Sequence, residues 1–172
     1  MKRFLGIITL VAMIFSLISC GSKTSISSNA EDYKVYLDKV EYAKDYMPSI
    51  ASCGNFLSVV STYKKTVIFF DDYTLGLFLS YDEEEYNKQK EHIIQNYTFS
   101  DESESKSDSL AKVNGYIIKL VEEDYPLETY KMGFLIGTDD NNHRIGYMYY
   151  YDFDLDVLDD LDSYVESYFE IP

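Results

Sequence analysis

Residues 129–157 read TYKMGFLIGT-DDNN-HRIGYMYYYDFDLDV, and the fold follows from that stretch. Thr129 to Thr138 is rich in residues that suit a pleated, half-buried surface. Asp139-Asp140-Asn141-Asn142 then supplies turn chemistry, because short Asp and Asn side chains bond their own backbone and tolerate its left-handed region. A return strand is expected from His143 to about Val157. Its odd positions, Tyr147, Tyr149, Tyr151, Phe153, Leu155 and Val157, form one apolar face, and its even positions end in Asp152, Asp154 and Asp156. That is a hairpin of an antiparallel sheet with one face on a core. Leu158, Leu161, Val165, Tyr168 and Phe169 change to helical spacing and predict a closing helix.

Upstream, Gly115 to Glu122 predicts another strand. Residues 98–112 hold the run Ser-Asp-Glu-Ser-Glu-Ser-Lys-Ser-Asp-Ser, which has nothing to bury and predicts an acidic, Ser-rich surface loop. Asp82 followed by Glu85 has the form of a capping box, and Tyr86, Ile93, Ile94 and Tyr97 stripe the helix behind it. Phe56 to Tyr63 and Thr66 to Asp71 predict two strands joined at Lys64-Lys65, and Tyr73 to Tyr81 alternates as a third. Ser49 to Asn55 is expected to be a loop. The first helix is expected to be capped by Ser28 or Asn29, to carry Tyr33, Tyr36, Leu37, Val40 and Met47 on one face, and to end at Pro48. The order is α-βββ-α-βββ-α: one α+β domain spanning 31–172, with an antiparallel sheet covered by helices.

Ahead of the domain, Lys2 and Arg3 precede an apolar run from Phe4 to Ile18, which has the length of an export signal's core and falls short of the ~20 residues of a membrane span. It leads into Leu17-Ile18-Ser19-Cys20-Gly21. Leu at −3, a small residue at −1 and Cys at +1 resemble the lipobox of bacterial membrane lipoproteins; the resemblance covers residues 1–21 alone. It implies a signal peptide of residues 1–19 that is cleaved, and diacylglycerol joined to the Cys20 sulfur. It also implies an extracytoplasmic address on the outer leaflet of the cell membrane, or on the outer membrane of a two-membrane host. Residues 20–30 are expected to be the lipidated Cys and a flexible tether, since Gly21 to Ala30 is small and polar.

Removing residues 1–19 leaves 153 residues, enough for one domain. Its thirteen cationic and thirty acidic side chains give a net charge of −17, and Arg144 is the sole arginine. Nucleic-acid binding and phosphate clamping depend on clustered Arg and Lys, so neither is expected. With Cys20 lipidated, Cys53 has no disulfide partner within the chain.

The candidate chemistry is sparse. Asp152, Asp154 and Asp156 resemble the opening of a calcium-binding EF-hand loop, but Val157 stands where that loop needs Gly and Ser163 where it needs Glu; strand alternation explains the spacing without a metal. His92 and His143 have neither zinc-ligand spacing nor the context of a catalytic triad. No catalytic group, metal or cofactor other than the covalent diacylglycerol is expected. Tyr42 and Tyr46, off the main stripe of the first helix, and Met148 and Tyr150, on the even face of the return strand, form a candidate interaction surface, because Tyr offers area and a hydroxyl at low entropic cost; if helices cover both faces of the sheet, they are core instead. The sequence thus predicts a non-enzymatic protein-interaction module of the cell envelope, with a glycan-binding lipoprotein and a carboxylate-based enzyme as the alternatives.

Overall fold

In a computed structural model of the chain, which describes residues 23–67, 71–99, 110–122, 132–151 and 161–170, the expected hairpin lies inside the sheet. Strands β6 (Met132–Asp139) and β7 (Arg144–Tyr151) pair antiparallel from Met132↔Tyr151 to Asp139↔Arg144. Around them run β1 (Lys23–Ser27), β2 (Ser58–Val67), β3 (Asp71–Ser80), β4 (Leu110–Val113) and β5 (Tyr116–Leu120). The seven strands form one antiparallel sheet in the order β1-β2-β3-β7-β6-β5-β4. It comprises two meanders, β1–β3 and β4–β7, joined where β3 pairs with β7. The protein is an α+β domain with helices on its sheet.

Helices α1 (Ala30–Lys39) and α2 (Glu83–Asn96) cover one face, over Tyr63, Leu75, Leu77, Phe134, Ile145, Tyr147 and Tyr149. Helix α3 (Leu161–Phe169) covers the other, over Phe78, Tyr116, Ile118, Leu135, Met148 and Tyr150. The odd face of β7 is apolar and buried as expected. Its even face is buried as well: Met148 and Tyr150 lie under α3, so the sheet is covered on both faces and these two residues of the expected interaction surface are core.

Local details depart from expectation for physical reasons. Residues 23–27 are strand rather than tether, because main-chain pairing with β2, from Lys23↔Lys65 to Ser27↔Ser61, holds a polar edge strand that composition alone does not reveal. Asn29 caps α1 through its side chain, accepting from the Glu31 N–H at 3.1 Å. The helix stops at Lys39, and Glu41–Asp45 continues as a 3₁₀ turn; buried Val40 and Ala43 stand three apart, the 3₁₀ period. Lys64 and Lys65 form no turn. Each ammonium lies about 5 Å from a tyrosine ring, Tyr164 for Lys64 and Tyr73 for Lys65, so the lysine stems pass along β2 without leaving the sheet. Two strands therefore stand where three were expected. Ile94 is exposed, and buried Gln89 takes its place on the inner side of α2. Leu110 to Lys112 belong to β4, not to the acidic loop. At the loop's start Phe99 forms an isolated antiparallel bridge with Val121; residues 100–109, Cys20, and the continuation of the return strand with Asp152, Asp154 and Asp156 fall outside the described residues.

Candidate functional site

Two surfaces on the α1–α2 face merit a functional reading. The first is a terrace of tyrosines at the end of the sheet where β1 begins. The 3₁₀ turn carries Tyr42 and Tyr46 over β7, where their rings stack on Tyr151 and Tyr149 with centroids 6.0 and 5.7 Å apart. Tyr36 stacks on Tyr63 at 5.6 Å, and the Lys39 ammonium lies over both rings. The Lys65 Nζ donates to the Tyr73 hydroxyl at 3.2 Å. Cross-strand register accounts for the row, since Lys23 faces Lys65, Lys65 faces Tyr73, and Tyr73 faces Tyr151. Tyr42 is 60% exposed and Tyr46 half-buried. Of the four residues in the expected interaction surface, the structure thus keeps Tyr42 and Tyr46 together at the surface and removes Met148 and Tyr150 to the interior.

The second surface is an open cleft of about 510 Å³ between residues 51–54 and α2, lined by polar side chains that include Ser52, Lys88, Gln89, His92 and Gln95. Its floor is built by Gly54, at φ +67°, where a Cβ would stand 2.0 Å from the Glu85 Oε1. A side chain there would displace Glu85, which accepts from the Gln89 Nε2 at 2.7 Å. That bond, then the Lys88 charge and the Asn55 backbone, hold the Glu85 carboxyl below its usual range against the opposing effect of burial. The Asp82 carboxylate accepts from the Glu85 N–H at 2.8 Å and so starts α2 as its sequence implied. The His92 ring meets the Asn96 amide at 3.0 Å across one helical turn. His143 lies elsewhere, in the β6–β7 turn against Tyr86, so the two histidines are not brought together. Among the described residues no group of three or more His, Cys, Asp or Glu is arranged to hold a metal ion.

Cys53 is buried, and its thiol donates to the Ser49 carbonyl at 3.3 Å. Burial pushes the thiol up to about 12, with a weaker opposing pull from Ser52. Since the thiolate is the reactive form, Cys53 in the folded protein is expected to resist a disulfide reagent such as DTNB at pH 8 and to react within minutes in guanidinium. Equal rates with and without denaturant would refute the assignment.

The turn between β4 and β5 is a tight hairpin that the expected boundaries of the loop and the following strand did not place. Asn114 (φ 50°) and Gly115 (φ 91°) both take positive φ, the two-residue hairpin turn that Asn-Gly favours. The dipeptide signals it plainly, but the polar run just upstream drew the loop boundary too late. Comparison of the chain with protein-family models, with curated proteins and with solved structures gave no match.

Proposed function

We propose that the protein is a membrane-anchored, extracytoplasmic lipoprotein whose domain is a non-enzymatic interaction module of the cell envelope. The observation that carries this reading is the junction between sequence and fold: the lipobox cysteine, Cys20, precedes β1 with only Gly21 and Ser22 between them. Diacylglycerol on the Cys20 sulfur supplies two acyl chains, and two are needed for a stable anchor. The domain then offers a partner the polar cleft beside α2, whose amide, hydroxyl, ammonium and imidazole groups suit a hydrogen-bonding polypeptide.

Cys20→Ser is expected to abolish incorporation of labelled fatty acid and to leave the unprocessed precursor. Labelling at the wild-type level would overturn the anchor. In-cell crosslinking of the wild-type protein, which already carries the Lys88 amine at the cleft, is expected to trap one envelope protein. Recovery of glycan in its place would transfer the reading to carbohydrate.

A further inference from the structure

We propose that the cleft beside α2 seats a short extended stretch of a partner polypeptide, held by its main chain between the Gln89 side-chain carbonyl and the backbone of Gly54. The inference deepens the reading of the cleft as a partner's site and rests on it. Gln89 stands three residues after Tyr86 and four before Ile93, on the buried stripe of α2, and is itself only 6% exposed. A buried amide normally has both ends bonded, because a polar group cut off from water and left unpaired destabilises the fold. Only one end is bonded here. The Gln89 Nε2 donates to the Glu85 Oε1 at 2.7 Å. Glu85, held ionised, can only accept, so the Gln89 nitrogen must face it and the carbonyl turns away. That carbonyl has no partner among the described residues, and Gln89 lines the cleft. A fixed acceptor thus borders the cleft with nothing inside the chain to satisfy it.

The other wall offers main chain. Gly54 is exposed, and neither its N–H nor its C=O is bonded among the described residues. At φ +67° and without a side chain, it leaves that backbone open to close approach. A Cβ there would stand 2.4 Å from the Gln89 Nε2, so the two walls adjoin. One N–H and two carbonyls bordering a single cleft complement an extended chain, which carries one donor and one acceptor at each residue. The lining on α2 runs from Lys88 to Gln95. That is about 10 Å of helix, the length of about three extended residues. Donors for the ligand's carbonyls are present too. The His92 Nδ1 accepts from the Asn96 amide at 3.0 Å, so the neutral ring presents its Nε2–H, and the Lys88 side chain is 71% exposed. Among the described residues that line the cleft none is Tyr or Phe, so a sugar ring has no aromatic platform there, which favours peptide over glycan.

The test titrates the full chain, isotope-labelled and in detergent micelles, with acetyl-trialanine methylamide, a probe that carries main-chain groups and no polar side chain. The resonances of the Gly54 N–H and the Gln89 side-chain amide are expected to shift together and to saturate at millimolar probe. The analogue with esters in place of all its amides has no N–H to donate and should bind about tenfold more weakly. Gln89→Leu should weaken the peptide to a similar degree. Because Gln89→Leu also releases Glu85, a second variant acts from the exposed wall: His92→Trp fills the cleft without touching the core, and should abolish the shifts at an unchanged urea midpoint. Shifts that persist in His92→Trp, equal binding of the ester analogue, or no shift at either residue overturns the seat. Maltotriose moving the two resonances where the peptide does not would overturn the peptide and keep the cleft as a binding site. An envelope protein crosslinked through Lys88 as strongly in His92→Trp as in the wild type would keep the interaction module and overturn the seat.

Discussion

Phe169→Ala is expected to cost about 3–5 kcal/mol and to release α3 from the sheet. The Phe169 ring is fully buried and meets Phe78 and Tyr116 edge-on, at centroid distances of 5.3 and 5.2 Å. It fits because two glycines face each other across the central hairpin, Gly137 on β6 and Gly146 on β7. A Cβ at Gly137 would stand 2.5 Å from the Phe169 Cε1, and one at Gly146 would stand 2.7 Å from it. The pair is the socket and the ring its occupant. A nine-residue helix has too few turns to persist alone, so α3 depends on this contact together with Val165 and Tyr168.

Two variants probe one joint from opposite sides. Phe169→Ala empties the socket, while Gly146→Val fills it with a branched side chain that cannot yield to a rigid ring. Both are expected to lower the urea midpoint sharply, to expose Met148 and Tyr150 to a hydrophobic dye, and to open the C-terminal segment to protease. Small domains hold only about 5–15 kcal/mol in total, so the loss should be plain. A Phe169→Ala protein within about 1 kcal/mol of the wild type would refute the joint.

The same joint explains what the sequence reading resolved and what it missed. Period-two alternation along Tyr147, Tyr149 and Tyr151 is a local property of one strand, and it identified the face under α1 and α2. Whether Gly146, Met148 and Tyr150 face water depends on where a helix more than ten residues later comes to rest, and no local pattern encodes that. Tyrosine sharpens the ambiguity because it suits a core and a wet surface equally. The caps at Asn29 and Asp82 were legible because capping is settled within three residues. β1 was not, because an edge strand of Lys, Thr, Ser and Ile is held by the main chain of β2, and its composition is that of a linker. The tyrosine terrace was half legible: Tyr42 and Tyr46 stood out by leaving the helical stripe, but their stacking on β7 required the helix to break at Val40. Lys64-Lys65 misled for a related reason, since a charged pair suggests a turn until tyrosine rings are placed beneath it.

Asp139→Ala is expected to cost about 3 kcal/mol or more, with a pH signature that separates charge from packing. The Asp139 carboxylate is fully buried at the end of the sheet away from β1's start. Its Oδ1 accepts from the Asn141 and Asn142 N–H groups at 3.1 and 3.2 Å. Its Oδ2 accepts from the Asn142 amide at 2.8 Å and from the Arg144 Nε and Nη2 at 3.0 and 2.7 Å. Arg144 also donates to the Asn114 carbonyl at 2.6 Å, and its guanidinium lies 4.7 Å from the Tyr116 ring centre. One carboxylate therefore ties the β6–β7 turn to the β4–β5 turn, and removing it takes from the mostly buried guanidinium the carboxylate that meets its Nε and Nη2. Burial by itself would raise the Asp139 carboxyl, but the hydrogen bonds from Asn142 and Arg144 outweigh it and hold the group below its usual value. A group depressed on folding adds stability that is fully present above its unfolded value of about 3.9, and that stability is lost as pH falls toward the folded value. Urea midpoints of the wild type and Asp139→Ala should therefore lie far apart at pH 7 and draw together below about pH 4. Asp139→Asn, which keeps the shape and loses the charge, should fall between them at pH 7. A gap that stays constant down to pH 2 would mean that packing, rather than the buried charge pair, holds the two turns together.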